Sequence, residues 1–307
     1  MGRYVIRRLL QMIPVVIVVT ALIHLMVWAL PGDPFAGRCG DRPCPPTYVA
    51  QMTEQFNLDK PWPIQYLTYL GNLFTGDFGR SFRGDEVADA LARAYPVTLK
   101  LALMAIAIEV LIGITAGILA ALRKGELVDS LVLVCTLFVI SIPVFVIGST
   151  VQLFFGIRFG WFPPTVDEGS FSELLMPAFV LASVSLAYVS RLMRTNLVEN
   201  LRADYVRTAS AKGMRRSRVI GVHTVRNSLI PVITFIGFDL GALMGGSIVV
   251  EGIFSINGVG GLIFNNIQSR DGAMVVGAVT VLVLVFLFVN LLVDLLYAVL
   301  DPRIRYD

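Results

Sequence analysis

Three carboxylates, Glu109, Asp239 and Asp294, stand inside long apolar runs. An ionisable side chain at membrane depth is costly unless it faces the protein interior or a water-filled path. Each is therefore a candidate for lining a route through a bilayer or for carrying a coupling ion. Gly237, Gly241 and Gly245 recur every fourth residue around Asp239 and share one helix face. Such a face suits close helix packing, with or without a role in a translocation path. Ser247 and Glu251 follow at its far end. Gly245-Gly246-Ser247 has the outline of an intramembrane serine nucleophile, but that chemistry needs a base. The histidines are His24 and His223, and His223 lies in a basic polar stretch, so hydrolysis is a poor reading. The chain has no G-x-x-x-x-G-K-[ST] for a nucleotide phosphate and no H-E-x-x-H for zinc.

The second group of chemistry-bearing residues is a basic interruption at 202–231, holding Asp204, Tyr205, Arg207, Thr208, Ala209, Ala211, Lys212, Gly213, Arg215 and Arg216. Helix formers run to Lys212, and Gly213 suits the left-handed position after a helix end. A second helical run follows, with Pro231 where the next apolar segment begins. The pattern predicts helix, glycine break and short helix at a membrane face. On pattern alone, such a stretch reads equally as a topogenic loop or as a docking element.

These residues must be positioned by membrane helices. Of 307 residues, 56% are hydrophobic and only 15% charged, with mean hydropathy +0.75. A soluble domain of this size would carry more charge, so the composition indicates an all-α polytopic membrane protein. Six spans are expected, at 9–30, 97–122, 127–155 with a kink at Pro143, 174–190, 229–250 and 273–300. The first is read as an uncleaved helix rather than a signal peptide, because it is long and more spans follow. Gly113 and Gly117 should let the second span approach a neighbour closely.

Residues 31–95 form the one large extramembrane segment, with short amphipathic helices expected at 49–58 and 64–74 on either side of Pro61-Trp62-Pro63. Cys39 and Cys44 lie there, as a local disulfide or as two free thiols, and no metal site is expected. Cys135 sits in an apolar run as a small hydrophobe. Residues 255–272 are expected as an outer loop in which Gly258, Gly260 and Gly261 make a tight turn or shape an outer gate. Basic residues concentrate at both ends, at Arg123-Lys124 and in 191–228. This bias puts both termini and that loop in the cytoplasm.

The basic stretch resembles the EAA loop of ABC importer permeases, in the dipeptide/oligopeptide branch. Arg207-Thr208-Ala209 precedes Gly213 at the family spacing, and Asp204-Tyr205-Val206-Arg207-Thr208-Ala209-x-Ala211-Lys212-Gly213 and Arg226-Asn227-Ser228-Leu229-Ile230-Pro231 follow the branch wording. Arg207 stands where the family has Glu, so no carboxylate role passes to it. Gly76-Asp77-Phe78-Gly79-Arg80-Ser81-Phe82, the Gly-rich segment after Glu251, and the ending from Asp294 through Asp301-Pro302-Arg303 also resemble that branch.

The resemblance implies a type I ABC importer transmembrane fold over 1–307 as a single permease domain, with 31–95 extracytoplasmic and 191–228 as a cytoplasmic coupling loop. It implies one permease subunit of an ATP-driven, binding-protein-dependent importer in a bacterial inner membrane. The chain itself would be no enzyme and hold no cofactor; ATP and Mg would belong to partner ATPase subunits. A second homologous permease, an extracytoplasmic solute-binding protein, membrane lipid and a peptide complete the expected partners, with no nucleic acid. Another solute, such as a metal chelate, glutathione or haem, fits the same architecture. A reading from another class is a self-sufficient channel or ion-coupled carrier using Glu109, Asp239 and Asp294.

Overall fold

The computed structural model describes residues 2–28, 44–244 and 247–300. Among them every named element is helical: α1 Gly2–Trp28, α2 Pro46–Gln55, α3 Trp62–Phe74, α4 Val87–Leu122, α5 Leu127–Ser141, α6 Val144–Arg158, α7 Phe171–Asn200, α8 Asp204–Ala211, α9 Arg216–Met244, α10 Ile248–Ile253, α11 Val259–Gln268 and α12 Gly272–Leu300. Helices are the economical choice in lipid, because they satisfy their own backbone polar groups. Five of them are long and apolar enough to cross a membrane, and the α5–α6 pair makes a sixth if it counts as one span.

The chain divides into two compact units, Met1–Thr98 with Asn257–Asp307, and Leu99–Ile256. In the first, α3 packs on α1 through rings. His24 lies edge-on to Trp62 and Tyr66, and Trp62 stacks on Tyr66. The Tyr66 hydroxyl donates to the Ile17 carbonyl at 2.7 Å. Tyr69 donates to Thr280 Oγ1 at 2.6 Å. Burial pushes the Tyr69 hydroxyl up to about 12, against the opposing pull of that bond, so it stays a neutral donor. Beside these rings His24, Gln65, Tyr69, Asn72, Asp77 and Arg80 help to line a cavity of about 300 Å³.

The Arg80–Glu86 turn in this unit is closed by an ion pair at 2.7 Å. It is anchored by Asp271, which accepts from Ser81 Oγ at 2.7 Å and from the Phe82 N–H at 3.1 Å. Asp271 also accepts from the Met274 N–H at 3.2 Å, as the cap of α12. Gly277 lies directly against the Phe78 carbonyl and the Val87 side chain, leaving no room for a Cβ.

The second unit is organised on α7, which is 30 residues long and opens with a Ser170/Glu173 capping box. A Cβ at Gly117 would stand 2.6 Å from the Ser190 carbonyl, and one at Gly113 would stand 2.9 Å from Val189 Cγ1. The expected small-residue face of α4 is therefore where α4 meets α7. Ala121, Val189, Met193, Leu197 and Val232 form one core between α4, α7 and α9, and Ala102, Ala105, Ala182 and Leu243 another.

Several boundaries differ from the sequence reading. α4 starts at Val87, ten residues before the expected span, and carries Pro96 within it. At 36 residues it is about 54 Å long, more than a hydrocarbon core needs. The run after Gly213 is no separate surface helix. It is the beginning of α9, joined through a π-helical turn Val219–Val225, and Pro231 lies inside the helix. α9 ends at Met244, and α10 stands apart from it. Gly258, Gly260 and Gly261 make no tight turn. Gly258 is an extended N-cap at φ −101, and the other two are buried in α11, whose first N–H, from Val259, is accepted by Thr98 Oγ1 at 2.8 Å. Cys39 lies outside the described residues, and with it the Cys39–Cys44 pairing.

The kink expected at Pro143 is a 99° bend between α5 and α6. Each half is about 22 Å long, too short to cross alone. The pair nevertheless advances along α7. Asp129 meets Arg194, Gly148 meets Val180, and Gly156 lies near Met176. Asp129 and Gly156 thus meet α7 eighteen residues apart, about 27 Å along its axis. That progression is in keeping with one broken span.

Candidate functional site

The segment between α7 and α9 carries one short helix, α8. Asp204 in its first turn complements the helix dipole. Val206 and Ala209, three residues apart, turn to the same side and pack with Val219 and Met214. After Ala211 the chain leaves the helix through Gly213 at φ +78. The Gly213 N–H bonds the Ser210 carbonyl at 3.0 Å, and the Met214 N–H bonds the Ala209 carbonyl at 3.3 Å. Those two bonds define a Schellman motif, with Met214 supplying its apolar contact. The glycine break expected from sequence is thus a positive-φ requirement.

The rest of α8 is exposed. Asp204, Tyr205, Arg207, Thr208, Ala211 and Lys212 present a polar face, continued by Gly213, Arg215 and Arg216. Ala209 does not belong to that face, because it is buried in the loop's own apolar cluster. Arg207 pairs with Asp204 at 3.6 Å on the surface, a contact that contributes little in water. The exposed surface is a cationic, ridge-like helix with small residues at its end, a shape suited to lying in a groove of another protein.

Side-chain hydrogen bonds fix α8 to its neighbours. Tyr205 donates from its hydroxyl to Asn200 Oδ1 at 2.7 Å. Asn200 Nδ2 donates to Ser228 Oγ and to the Asn196 carbonyl, both at 3.0 Å. Ser228 donates to the Thr224 carbonyl at 2.8 Å, and Thr224 donates to the Val219 carbonyl at 3.0 Å, within the π-helical turn. Further up α7, Arg194 grips Asp129 with two bonds, of 2.6 and 2.7 Å, while the Gly125 N–H donates to the same carboxylate at 2.9 Å. The turn between α4 and α5 is thereby clamped to α7.

The apolar-run carboxylates separate into two situations. Glu109 lies in a π-helical turn of α4, Glu109–Ile114, and is fully buried. It interacts with Asp239 of α9, which in turn meets Ser185 of α7. Neither Glu109 oxygen is hydrogen-bonded in good geometry. Three helices therefore bring polar groups together inside the second unit. Asp294, in the first unit, instead forms an ion pair with Arg8 at 3.1 Å. Gly241 is buried in α9, and Glu251 is buried in α10, whose N-cap Ser247 accepts from the Val250 N–H at 3.3 Å. Gly245 lies outside the described residues. Among the described residues no three His, Cys, Asp or Glu side chains converge as a metal site would require.

Asp271, the Asp129–Arg194 clamp and Asn200 went unmarked by the sequence pattern. An Asp directly before an apolar helical run was a signal for Asp271 as an N-cap. The other two are long-range contacts that no local pattern announces.

Comparison with known proteins extends over the whole molecule. Residues 113–306 match the family described as binding-protein-dependent transport system inner membrane component, and residues 1–102 match its N-terminal companion. A Brucella abortus protein named for a peptide transport system permease is 37% identical over 315 residues, covering 100% of both chains. The oligopeptide transport system permease protein of Haemophilus influenzae is 36% identical over 311 residues, and the glutathione transport system permease protein of Escherichia coli K12 is 36% identical over 310, each with 100% of both chains covered.

Proposed function

This chain belongs to the family of binding-protein-dependent transport system inner membrane components, and from that membership we propose that it forms one half of a peptide-importing pore worked by separate ATPase subunits. It is a multi-pass inner-membrane permease subunit. The observation that carries the coupling role is α8: a short, exposed, cationic helix, ended by a Schellman glycine, joined by hydrogen bonds to one span and by packing to the next.

In this reading Asp204, Tyr205, Arg207, Thr208, Ala211, Lys212, Gly213, Arg215 and Arg216 dock on a cytoplasmic ATP-binding subunit. ATP and Mg are held by that subunit, and the permease chain supplies no catalytic group. The basic residues add steering and register to the contact. A second homologous permease completes the pore, and an extracytoplasmic binding protein delivers the solute. Both termini and the α8 loop face the cytoplasm, in keeping with the excess of basic residues there. ATP-driven closure of the ATPases would push α8, and the spans would rock to open a central path alternately to the two sides. Glu109, Asp239, Gly241, Gly245, Ser247 and Glu251 are the candidates for lining it. Asp294 is a weaker candidate, since Arg8 already balances its charge.

Near-equal identity to relatives named for peptide, oligopeptide and glutathione transport supports peptides and peptide-like compounds as the solute class. The experiment is affinity purification of the tagged chain from gently solubilised native membranes, followed by reconstitution of what co-purifies. Recovery of an ATPase, a second permease and a binding protein, with ATP-dependent peptide uptake, is expected. A chain that purifies alone and transports in liposomes without ATP would overturn the proposal.

A further inference from the structure

Besides the chain itself, two side-chain contacts attach α8 to the rest of its unit. One is the apolar cluster with Val219, which belongs to the first turns of α9. The other is the bond from Tyr205 to Asn200, the last residue of α7. The Asn200 side chain reaches three helices at once: it accepts from α8, donates to Ser228 of α9, and donates back to the Asn196 carbonyl of α7.

The direction of each bond follows from its partners. Ser228 spends its proton on the Thr224 carbonyl, so toward Asn200 it can only accept, and the amide nitrogen must face it. The amide oxygen is then left for the Tyr205 phenol. Without this side chain, α8 would be joined to α7 only through the backbone link 201–203, while the Val219 cluster still packed it on α9. A displacement of α8 would then be taken up in part by that link before reaching α7, the helix on which α4 closes at Gly113 and Gly117 and to which α5 is clamped by Asp129.

We propose that Asn200 is a positioning residue, the pin through which displacement of α8 reaches α7 and α9 together. This rests on the reading of α8 as the ATPase-docking helix. It gives Tyr205 a second task, since its hydroxyl points at the pin while its ring stays on the exposed side. Ser228, fully buried, is the fixed end of the linkage.

The test uses the complete complex in proteoliposomes and reads solute taken up per ATP hydrolysed. Asn200→Ala and Ser228→Ala should leave the complex assembled and hydrolysing ATP, while the uptake-to-ATP ratio falls about five- to tenfold, as expected for losing a hydrogen bond that carries load. Tyr205→Phe should lower the ratio too, and combined with Asn200→Ala it should lower it no further than Asn200→Ala alone, because both cut one linkage. Asn200→Asp can still accept from the phenol but cannot donate to Ser228, and its ratio should fall between wild type and Asn200→Ala. A normal ratio in an assembled Asn200→Ala complex overturns the pin. Should that variant fail to assemble, Ser228→Ala decides, since it removes one oxygen without changing the packing, and a normal ratio there overturns the proposal equally. If the wild-type complex itself shows no ATP-dependent uptake, the docking reading has failed, and the pin with it. That result is distinct from a working wild type with unaffected variants.

Discussion

Asp129→Ala should loosen the second unit where the turn between α4 and α5 meets α7. The carboxylate accepts three N–H bonds, two from Arg194 and one from Gly125, and its side chain is only 5% exposed. Removing it leaves the Arg194 guanidinium, 19% exposed, without its partner. Stranding a largely buried charge in this way costs about 3–5 kcal/mol. Replacing both partners by apolar residues of similar size should cost far less, because neither charge is then left behind. Arg194→Met alone leaves Asp129 with only the Gly125 N–H. A double-mutant cycle of Asp129→Ala and Arg194→Met should therefore show a coupling of about 2–3 kcal/mol, the double variant being more stable than the two single effects predict. The assay is unfolding of the purified subunit by titration with denaturing detergent, followed by helical circular dichroism. Single effects that add to within about 0.5 kcal/mol would show that the clamp carries no net load, and the argument would be wrong.

The glycine positions lead to two further expectations. At Gly213 the φ of +78 is the constraint, since nothing lies within 4 Å of an added Cβ. Gly213→Asn should retain more uptake than Gly213→Ala, and Gly213→Val least, with a left-handed L residue costing about 1–2 kcal/mol. Gly213→Arg should insert in the membrane yet uncouple ATP hydrolysis from uptake, and normal uptake by that variant would sink the docking assignment. At Gly117 the constraint is space, so Gly117→Ala should destabilise by about 1–3 kcal/mol through forcing α4 off α7. Gly71→Ala, in open surroundings, is the control, and equal melting temperatures for the two would contradict the packing.

The helical class, the number of crossings and the α8 loop were all legible in the sequence, for a shared reason. Apolar runs of span length, Gly113 and Gly117 four residues apart, and a glycine following helix formers are local patterns, and local sterics and solvation decide them. The misreadings arose where a membrane context overrides a soluble-protein rule. Pro231 marks the beginning of a membrane segment in the sequence reading, yet it lies inside a helix, because neighbouring structure can satisfy the freed carbonyl. The glycines after Glu251 suggested a turn, but Gly260 and Gly261 are small so that α11 can be buried. The pairing of Asp294 with Arg8, the clamp of Asp129 on Arg194 and the meeting of Glu109 with Asp239 link residues between 65 and 286 positions apart. Such partners become visible only once the helices are assembled.

The first compact unit is discontinuous in the chain, and this has a consequence for biosynthesis. Its N-terminal part ends at Thr98 and its remainder begins at Asn257. Thr98 waits for the Val259 N–H, Ser81 for Asp271, Tyr69 for Thr280, Arg8 for Asp294, and Phe78 for the notch at Gly277. A ribosome delivering this protein releases α1, α2 and α3 long before any of those partners exists, whereas Leu99–Ile256 emerges as one uninterrupted stretch. The middle of the chain can therefore mature during translation, and α3 with the turn after it settles only when α12 has been made. Chains that stop short of α12 should keep the Arg80–Glu86 ion pair but carry a turn with no anchor, since Asp271, the acceptor for Ser81 and Phe82, is not yet made.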